Sequence, residues 1–274
     1  MVTFPNCKIN LGLNIIRKRE DGYHELETVF YPVGLKDAVE IVQSGVGSLE
    51  SGVEFSSSGL EVAGDSADNL CVKAYHLLKK DFPQLSGFRV HLHKAIPMGA
   101  GLGGGSADGA FTLKLLNQMG RLGLSDQQLM DYALQLGSDC PFFILNKPCI
   151  ATGRGEKMRE IQLDLSDYTF VIVNPGIHQS TAKAFAGITP HQSQRSIKDI
   201  IRQPVQEWNE FLVNDFESQV SQQHAEILQI KENLYASGAQ YASMTGSGSS
   251  VYGLFEKGKE IILAFLSQYS TSQV

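Results

Sequence analysis

The sequence predicts an α+β protein, because its strands and helices are mixed along the chain without regular alternation. Residues 88–94, Phe-Arg-Val-His-Leu-His-Lys, alternate apolar and polar side chains, as a half-buried antiparallel strand does. A doubly wound parallel sheet would have wholly apolar strands there. Residues 241–244 and 251–255 flank a Gly/Ser loop and predict a hairpin. Both observations favour antiparallel pairing.

The first half of the chain is predicted to begin with short strands, at residues 3–15, 26–33, 37–43 and 87–95. The stretch between residues 44 and 66 is rich in Gly and Ser and predicts turns. A helix is expected to start near Asp68 or Asn69, because the apolar residues that follow form one stripe: Leu70, Ala74, Leu77 and Leu78. A second helix is predicted after a glycine-rich loop, from the spacing of apolar residues in 107–116.

Ser125-Asp126-Gln127-Gln128 is a capping box that predicts a third helix, running through Leu136 and ending at Gly137. Later elements are a strand at residues 170–173, helices near 196–217 and 222–236, and a last helix from about Lys259 to Ser267. We place a domain boundary near residues 150–165, which gives domains 1–155 and 156–274.

Composition restricts the classes of function. The 274 residues carry a formal net charge of −6, which argues against general affinity for nucleic acid or an anionic membrane. No apolar run reaches membrane-spanning length and the N-terminus does not read as a signal peptide, so a cytoplasmic protein is expected. The four cysteines lack zinc-site spacing and predict reduced thiols. His91 and His93 share a strand face, but without a third ligand nearby we interpret it as solvated.

Residues 97–106, Pro-Met-Gly-Ala-Gly-Leu-Gly-Gly-Gly-Ser, contain the strongest functional signal. Five of the seven residues from Gly99 to Gly105 are glycine, and a helical pattern follows. Such a loop presents unpaired backbone N–H groups and the positive end of a helix dipole at one point. It predicts an anion site, most simply for phosphate, rather than a flexible linker.

Two other phosphate-binding motifs are rejected. Residues 99–104 match GxGxxG, but the preceding strand alternates and no acidic residue ends a second strand about 20 positions later. Residues 253–260 nearly match the P-loop, but Glu260 stands where a Ser or Thr would hold Mg²⁺. Neither segment predicts a dinucleotide or P-loop site.

Three further features could supply chemistry. Lys8 lies within an apolar strand, and Asp139 lies between the end of a helix and Pro141. Because a helix C-terminus repels negative charge, we expect a cationic partner for Asp139. The turn Asp21-Gly22-Tyr23-His24 offers an aromatic ring and an imidazole. Taken singly, each feature favours a structural role: a snorkelling lysine, a capping aspartate and an ordinary turn. Together with the glycine loop they favour a catalytic function.

Three segments, in this order, resemble the signature motifs of the GHMP small-molecule kinases: residues 7–11 (Cys-Lys-Ile-Asn-Leu), 97–106 and 244–248 (Met-Thr-Gly-Ser-Gly). Residues 21–24, 136–141 and 195–197 look like the branch that phosphorylates a cytidine diphosphate-linked methylerythritol in isoprenoid precursor synthesis. The resemblance covers nearly the whole chain. It implies a mixed α/β N-terminal domain with the phosphate loop, a C-terminal ferredoxin-like α/β plait on the acceptor side, and an active site between them.

The resemblance also implies roles for individual residues. Asp139 matches the catalytic base and Lys8 the cation beside it. The positions that match the ATP site are Asn69, Lys94, Pro97, Gly99, Gly101, Leu102, Gly103, Gly104, Gly105 and Ser106. Those that match the acceptor site are Asn10, Tyr23, His24, Thr181, Phe185, Gly246, Ser247 and Gly248. Tyr23 and Phe185 would sandwich the cytosine ring, since flat aromatic groups favour offset stacking.

The resemblance has two departures and leaves two rival functions open. Cys7 replaces the usual alanine, and Ala186 stands where some relatives have a basic residue, whose charge Lys183 would supply. Mg²⁺ is expected with ATP, with Ser106 as a candidate ligand, and we expect a monomer or a weak homodimer. The rivals are a GHMP kinase for a sugar or a mevalonate-type alcohol, and a nucleotide-sensing or RNA-binding module without catalysis. Tyr23, His24 and Phe185 argue against the first, and Lys8 and Asp139 against the second.

Overall fold

The computed structural model describes residues 1–44, 52–191, 193, 195–263 and 269–274. The chain divides into two compact units, and neither is continuous in sequence. Unit 1 comprises Met1–Cys7, Gly34–Met98 and Gly103–Lys147, and unit 2 comprises Lys8–Val33, Gly99–Leu102 and Pro148–Val274. The domain boundary after residue 155 stays a prediction.

The described residues contain twelve strands and eight α-helices. The strands are β1 (Val2–Thr3), β2 (Asn6–Lys18), β3 (His24–Lys36), β4 (Ala38–Gln43), β5 (Val53–Gly59), β6 (Phe88–Lys94), β7 (Cys149–Gly153), β8 (Lys157–Glu160), β9 (Tyr168–Asn174), β10 (Tyr241–Met244), β11 (Val251–Glu256) and β12 (Ser270–Gln273). The α-helices are α1 (Leu70–Asp81), α2 (Gly104–Gly120), α3 (Asp126–Leu136), α4 (Cys140–Leu145), α5 (Thr181–Ala186), α6 (Ile197–Ile200), α7 (Asp215–Gln223) and α8 (Glu226–Ala236). None of these helices is long and apolar enough to cross a bilayer.

Unit 1 contains one four-stranded sheet, in the order β1-β4-β6-β5, and the helices α1 to α4. The central strand β6 pairs antiparallel with β4 and parallel with β5. Its residues alternate between buried and more exposed positions, as the sequence predicts. Helix α1 packs against α2 and α3, and α2 also contacts α4 and β4.

Unit 2 contains the sheet β10-β11-β9-β12, most of the sheet β2-β3-β7-β8 and the helices α5 to α8. The first two residues of β2 and the last three of β3 belong to unit 1. In the sheet β10-β11-β9-β12 every pairing is antiparallel. Its apolar face packs on α7 and α8, through residues such as Val173, Met244, Ile230 and Leu234. Together the two units confirm the predicted α+β class.

Several predicted elements are confirmed by local chemistry. The Asn69 side chain accepts a hydrogen bond from the Cys71 N–H (2.9 Å) and starts α1. At α3 both bonds of the capping box are present, between Ser125 and Gln128. The hairpin pairs Tyr241 with Leu254 and Met244 with Val251 across the Gly/Ser loop.

The turn-rich stretch 44–66 was predicted without a strand, and that prediction is wrong for residues 53–59, which form β5. Residues 45–51 lie outside the described part of the chain. The serines of β5 explain the polar face of β6: Ser56 Oγ and Ser58 Oγ each lie 2.9 Å from a ring nitrogen of His91, and Ser58 Oγ lies 3.0 Å from His93 Nδ1. Within the described residues, no group of three or more His, Cys, Asp or Glu could hold a metal ion.

The single helix predicted at residues 196–217 is also wrong. It is three short elements: α6, a 3₁₀ helix at Val205–Glu210 and the start of α7. Pro204 begins the 3₁₀ segment, since proline cannot donate a helix hydrogen bond, and Asn214 caps α7 anew. The helix predicted at 222–236 begins only at Glu226.

The last predicted helix is absent over residues 259–263, and residues 264–267 lie outside the described part of the chain. Elements that the sequence did not predict are α4, α5, β7, β8 and β12. All five are six residues or shorter, too short to show a clear period.

Candidate active site

The first part of the glycine loop, Gly99–Leu102, belongs to unit 2 and is shaped by contacts within that unit. Gly99, Gly101 and Gly103 have φ values of 64°, 76° and 70°, which glycine adopts readily. A Cβ on Gly101 would lie 2.0 Å from the Thr245 carbonyl oxygen. The Leu102 carbonyl accepts a hydrogen bond from the Lys8 N–H (3.0 Å). At Gly101, therefore, the close neighbour that requires glycine is another backbone segment of the protein rather than an anion.

The second half of the loop opens α2 in unit 1. Gly103 is the N-cap and offers no side chain, so the first N–H groups of α2 are not capped by a side chain. A Cβ on Gly104 would lie 2.8 Å from Ile96 Cγ2 and 2.9 Å from Lys94 Nζ, whereas a Cβ on Gly105 would meet nothing within 4 Å. Gly105 thus faces open space and is the position where a bound group can approach the helix backbone.

A cavity of about 490 Å³ lies beside this helix start. Its lining includes Asn69, Lys94, Gly105 and Asp108, all in unit 1. Pro97, which follows β6, is half-buried, and Leu102 is buried. The structure therefore brings three of the predicted nucleotide residues, Asn69, Lys94 and Gly105, to one cavity.

The Lys94 ammonium is buried between two carboxylates at the floor of this cavity. Its Nζ pairs with Asp37 Oδ2 and lies 2.8 Å from Asp108 Oδ2. Asp37 Oδ1 also accepts hydrogen bonds from the Ala95 and Ile96 N–H groups (2.6 and 2.8 Å). Burial raises the pKa of Asp108 to about 7, and the neighbouring Asp37 adds to the shift, although Lys94 opposes it. Sequence reasoning missed both aspartates, which lie 57 and 14 residues from Lys94 in sequence.

Asp139 lies half-buried in unit 1, between two helices. The sequence placed it at the C-terminus of α3, where a carboxylate is disfavoured. The structure adds that α4 begins at the next residue, with Asp139 as its N-cap and Pro141 in its first turn. This N-terminus favours negative charge, so the electrostatic setting is milder than the sequence predicted. In the same helix, the Cys140 thiol interacts with the Ser106 hydroxyl, and burial raises the pKa of Cys140 to about 12.

The Lys8 ammonium is fixed within unit 2. The side chain is buried, and Nζ donates to Asn10 Oδ1 (2.5 Å) and to the Gly101 carbonyl (3.2 Å). Nζ also lies 5.1 Å from the centre of the Phe30 ring. These contacts exclude the alternative of a snorkelling lysine, since such a side chain would carry its charge to solvent.

Asn10 connects this lysine to the loop after β10. Its backbone N–H donates to Thr245 Oγ1 (3.0 Å), and its Nδ2 donates to Thr28 Oγ1 (3.0 Å). Thr245 Oγ1 in turn lies 3.3 Å from the Gly101 carbonyl oxygen. Asn10 is buried, and among the described residues its Nδ2 contact is with Thr28. Asn10 is therefore a partner of Lys8, a relationship that the predicted role did not include.

The aromatic residues predicted for the acceptor occupy two separate contacts. His24 stacks on Phe185, with ring centres 4.8 Å apart and planes at 21°, and Phe216 meets Phe185 edge-on. Tyr23 is 54% exposed and lies under the Arg154 guanidinium, 4.6 Å away. Burial, with the charge of Lys18, lowers the pKa of His24. His24 is thus the ring that contacts Phe185, and the Tyr23–Phe185 sandwich stays a prediction.

Two predicted acceptor residues meet at the loop after β10. Thr181 Oγ1, at the start of α5, lies 3.0 Å from Ser247 Oγ. Gly246 and Gly248 have φ values of 57° and 93°, so the loop needs glycine at both positions. Ser247 is half-buried between them and is the most accessible residue of 245–250. The hydroxyls and N–H groups gathered here can donate hydrogen bonds to an anionic group.

Comparison with known proteins identifies the same family over both halves of the chain. Residues 69–147 match the GHMP kinases N terminal domain, and residues 196–271 match the GHMP kinases C terminal domain. The chain is 55% identical over 258 residues to 4-diphosphocytidyl-2-C-methyl-D-erythritol kinase of Bacteroides thetaiotaomicron, which covers 93% of this chain and 92% of that protein.

Solved structures agree with this relationship. A crystal structure of 4-(cytidine 5'-diphospho)-2C-methyl-D-erythritol kinase superimposes with a TM-score of 0.80 at 30% identity, covering 93% of this chain and 90% of that one. The Methanococcus jannaschii mevalonate kinase gives 0.70 at 15% identity, covering 100% and 97%. The second likeness shows a shared fold alone.

Proposed function

This chain belongs to the GHMP kinase family, in the branch of the 4-diphosphocytidyl-2-C-methyl-D-erythritol kinases, and we propose that its two units perform that reaction with the residues described above. The enzyme phosphorylates the 2-hydroxyl of 4-diphosphocytidyl-2-C-methyl-D-erythritol with ATP, which yields the 2-phosphate and ADP in isoprenoid precursor synthesis. The observation that carries this function is the 55% identity over 93% of the chain.

ATP is proposed to bind with its nucleoside in unit 1 and its phosphates on the loop from Gly99 to Ser106. The open space at Gly105 and the uncapped start of α2 support this placement, because both expose N–H donors to an anion. The cavity beside Asn69 and Lys94 would take the nucleoside. Because Lys94 is paired with Asp37 and hydrogen-bonded to Asp108, its role there would be to fix the cavity floor rather than to attract phosphate.

Mg²⁺ is proposed to arrive with ATP and to neutralise charge on the reacting phosphates when bound. Mg²⁺ needs only one or two protein oxygens beside phosphates and water. The Ser106 hydroxyl, in the first turn of α2, is the candidate protein ligand.

Asp139 is proposed as the base that accepts the proton of the acceptor hydroxyl, and Lys8 as the cation that stabilises the resulting oxyanion. The half-burial of Asp139 and the fixed Lys8 ammonium support these roles, since phosphoryl transfer depends on preorganised charge and positioning. Asn10 would hold Lys8 in place and contact the acceptor.

The acceptor is proposed to bind in unit 2. Phe185, with Tyr23, would stack on the cytosine, and His24 would leave its present stacking position to hydrogen-bond the base. Thr181, Ser247 and the backbone of Gly246 and Gly248 would meet the diphosphate. Because ATP is the co-substrate, we expect the enzyme to act in the cytoplasm, as a monomer or a weak homodimer that sedimentation would distinguish.

A coupled assay of ADP release, with a panel of acceptor alcohols, tests the function. Turnover with 4-diphosphocytidyl-2-C-methyl-D-erythritol and little with mevalonate or sugars is expected, because only the first carries a base to stack. Equal turnover with mevalonate would favour the other GHMP kinases, and no acceptor-dependent turnover would favour a nucleotide sensor.

A further inference from the structure

Residues 214–217, Asn-Asp-Phe-Glu, open helix α7 and place three polar side chains against remote parts of unit 2. An Asn at the N-cap followed three residues later by Glu has the spacing of a capping box. In a capping box the glutamate would return to the N-cap N–H. Here Glu217 instead accepts hydrogen bonds from residues of β10, so it contacts a strand that is distant in sequence rather than its own helix start.

Asn214 holds the loop after β10 by donating hydrogen bonds to backbone carbonyl groups at the start of that loop. Its Nδ2 donates to the Met244 carbonyl (2.8 Å) and to the Gly246 carbonyl (2.9 Å), while its Oδ1 accepts from the Phe216 N–H (3.0 Å). The residue is only 4% exposed. Both amide hydrogens and the cap oxygen are therefore in use, and the amide orientation is fixed by the chemistry of all three partners.

Glu217 holds the same segment by accepting hydrogen bonds from donor groups of β10. Its Oε2 accepts from the Met244 N–H (2.9 Å) and from Ser243 Oγ (3.3 Å), and its Oε1 pairs with Lys231 on α8. Met244 is thus bound at both its N–H and its carbonyl by two side chains from one turn of α7. Such a buried, hydrogen-bonded carboxylate restrains the backbone that it contacts.

The same turn also reaches β2, the strand that carries Lys8 and Asn10. Asp215 Oδ2 accepts from the Ile15 N–H (2.6 Å), and the Leu13 N–H donates to the Val213 carbonyl (2.9 Å). Residues 213–217 therefore fix both β2 and the end of β10.

We infer that Asn214 and Glu217 are positioning residues for acceptor binding, which act by holding the backbone of Met244–Gly246 so that Ser247 is presented to the acceptor diphosphate. The loop of residues 245–250 is Thr-Gly-Ser-Gly-Ser-Ser, whose small side chains cannot fix its shape by packing. The loop is held by two backbone hydrogen bonds of its own, Thr245 N–H to Ser250 and Gly248 N–H to Thr245, and by contacts from outside. The two α7 side chains supply the contacts to Met244 and Gly246, where the loop leaves β10. The inference rests on the proposed assignment of this loop to the acceptor.

Asn214→Asp tests the inference most sharply, because it keeps the cap oxygen and the shape but loses both donors to the loop. We expect the KM for the acceptor to rise about tenfold or more, because the Met244 and Gly246 carbonyls lose the Asn214 donor and face a carboxylate instead. The KM for ATP should change less than about twofold. Amide hydrogen exchange of residues 243–250 should become faster, while that of α3 in unit 1 stays unchanged. Glu217→Gln, which keeps the size of the side chain, should also raise the acceptor KM and speed the exchange of residues 243–250. It keeps the inference testable if Asn214→Asp does not fold.

Ser125→Ala is the matched control, because it removes a helix cap in unit 1 and should alter neither KM. A rise of both KM values together in the Asn214 and Glu217 variants, or unchanged acceptor KM despite faster exchange, would overturn the positioning role. Failure of the proposed function is a different result: the wild-type enzyme would show no acceptor-dependent turnover, while the exchange experiment would still report on the loop.

Discussion

Gly105 is the residue at which phosphate binding can be tested without disturbing the protein itself. A side chain at Gly104 would press on Ile96 and Lys94, and Gly103 has a positive φ that valine does not tolerate, so neither separates binding from folding. Gly105→Val should lower ATP affinity at least about tenfold, because the new side chain fills the space that the phosphates need. Stability should not fall, since valine has a higher helix propensity than glycine.

Calorimetric titration with ATP and urea denaturation of the same preparation measure both effects. Gly105→Ala serves as the matched control and should show a smaller loss of affinity. If the folded valine variant binds ATP like the wild type, the phosphates lie elsewhere.

Asp108 gives the structure a pH dependence whose sign follows from its raised pKa. The folded protein holds a proton on Asp108 up to about pH 7, whereas the unfolded chain releases it near pH 4. Because the native state then binds more protons, this group lowers stability as pH rises through that window, and its effect becomes constant above about pH 7. The charged or titratable groups that surround it are Asp37, Lys94 and Cys71.

Asp108→Asn has no proton to lose, so its free energy of unfolding relative to the wild type should rise from about pH 4.5 to 7 and then stay level. Urea denaturation of both proteins across this range measures the difference. A difference independent of pH would mean that Asp108 is ionised throughout.

Asp139 and Lys8 are predicted to act together in the chemical step. Asp139→Asn keeps the shape and removes the base, so turnover should fall by roughly 10²–10⁴ with both substrates still bound. Lys8→Met should be comparably damaging, and the double variant far less than additive, because residues that act together lose their effect once. Steady-state rates with circular dichroism as a check of folding measure this; an Asp139→Asn enzyme that retains more than about a tenth of the wild-type turnover has no such base.

The sequence could identify Lys8 by its pattern, because a lysine in an apolar strand is conspicuous. Asn10 follows from the family resemblance alone. The sequence could not identify Asp37 and Asp108, since their relationship to Lys94 arises from folding and leaves no spacing in the chain. Asn214 and Glu217 did carry a signal, the Asn-x-x-Glu spacing, but it was hidden inside a helix predicted at 196–217.

Strands and helices could be predicted where the apolar residues recur with a regular period or where a capping motif is present. Strand β6 and helix α3 follow from alternation and from the Ser125 capping box. Strand β5 could not be predicted, because its serines are stabilised by pairing with β6 and by His91 rather than by burial. Short elements such as α5 depend on tertiary packing, which propensity does not report.

Helix α5 places Phe185 next to His24, at the start of β3, and its role in acceptor binding can be tested. Phe185→Ala should weaken acceptor binding by about 1–3 kcal/mol, the range for base–aromatic stacking, and leave ATP affinity unchanged. Phe185→Leu is the matched variant: it keeps the apolar contact with Phe216 but has no ring, so it should lose nearly as much. Calorimetry with each substrate measures both; equal losses for ATP and acceptor would make Phe185 structural.

For the whole molecule, the predicted fold class and family are confirmed, and each compact unit combines segments that are distant in sequence. Most of the sheet β2-β3-β7-β8 groups with the second half of the sequence, in unit 2, although β2 and β3 come from the first forty residues. The net charge of −6 means that two polyanionic substrates are bound by local donors, such as loop N–H groups, rather than by the overall field.

Transfer of a phosphoryl group from ATP to a cytidine diphosphate-linked alcohol can be followed by ³¹P NMR of the reaction mixture. With ATP, Mg²⁺ and 4-diphosphocytidyl-2-C-methyl-D-erythritol, a new phosphomonoester signal should grow in step with ADP, and replacing the acceptor by mevalonate should abolish it. Formation of ADP with inorganic phosphate alone, or an equal phosphomonoester signal with mevalonate, would contradict the account.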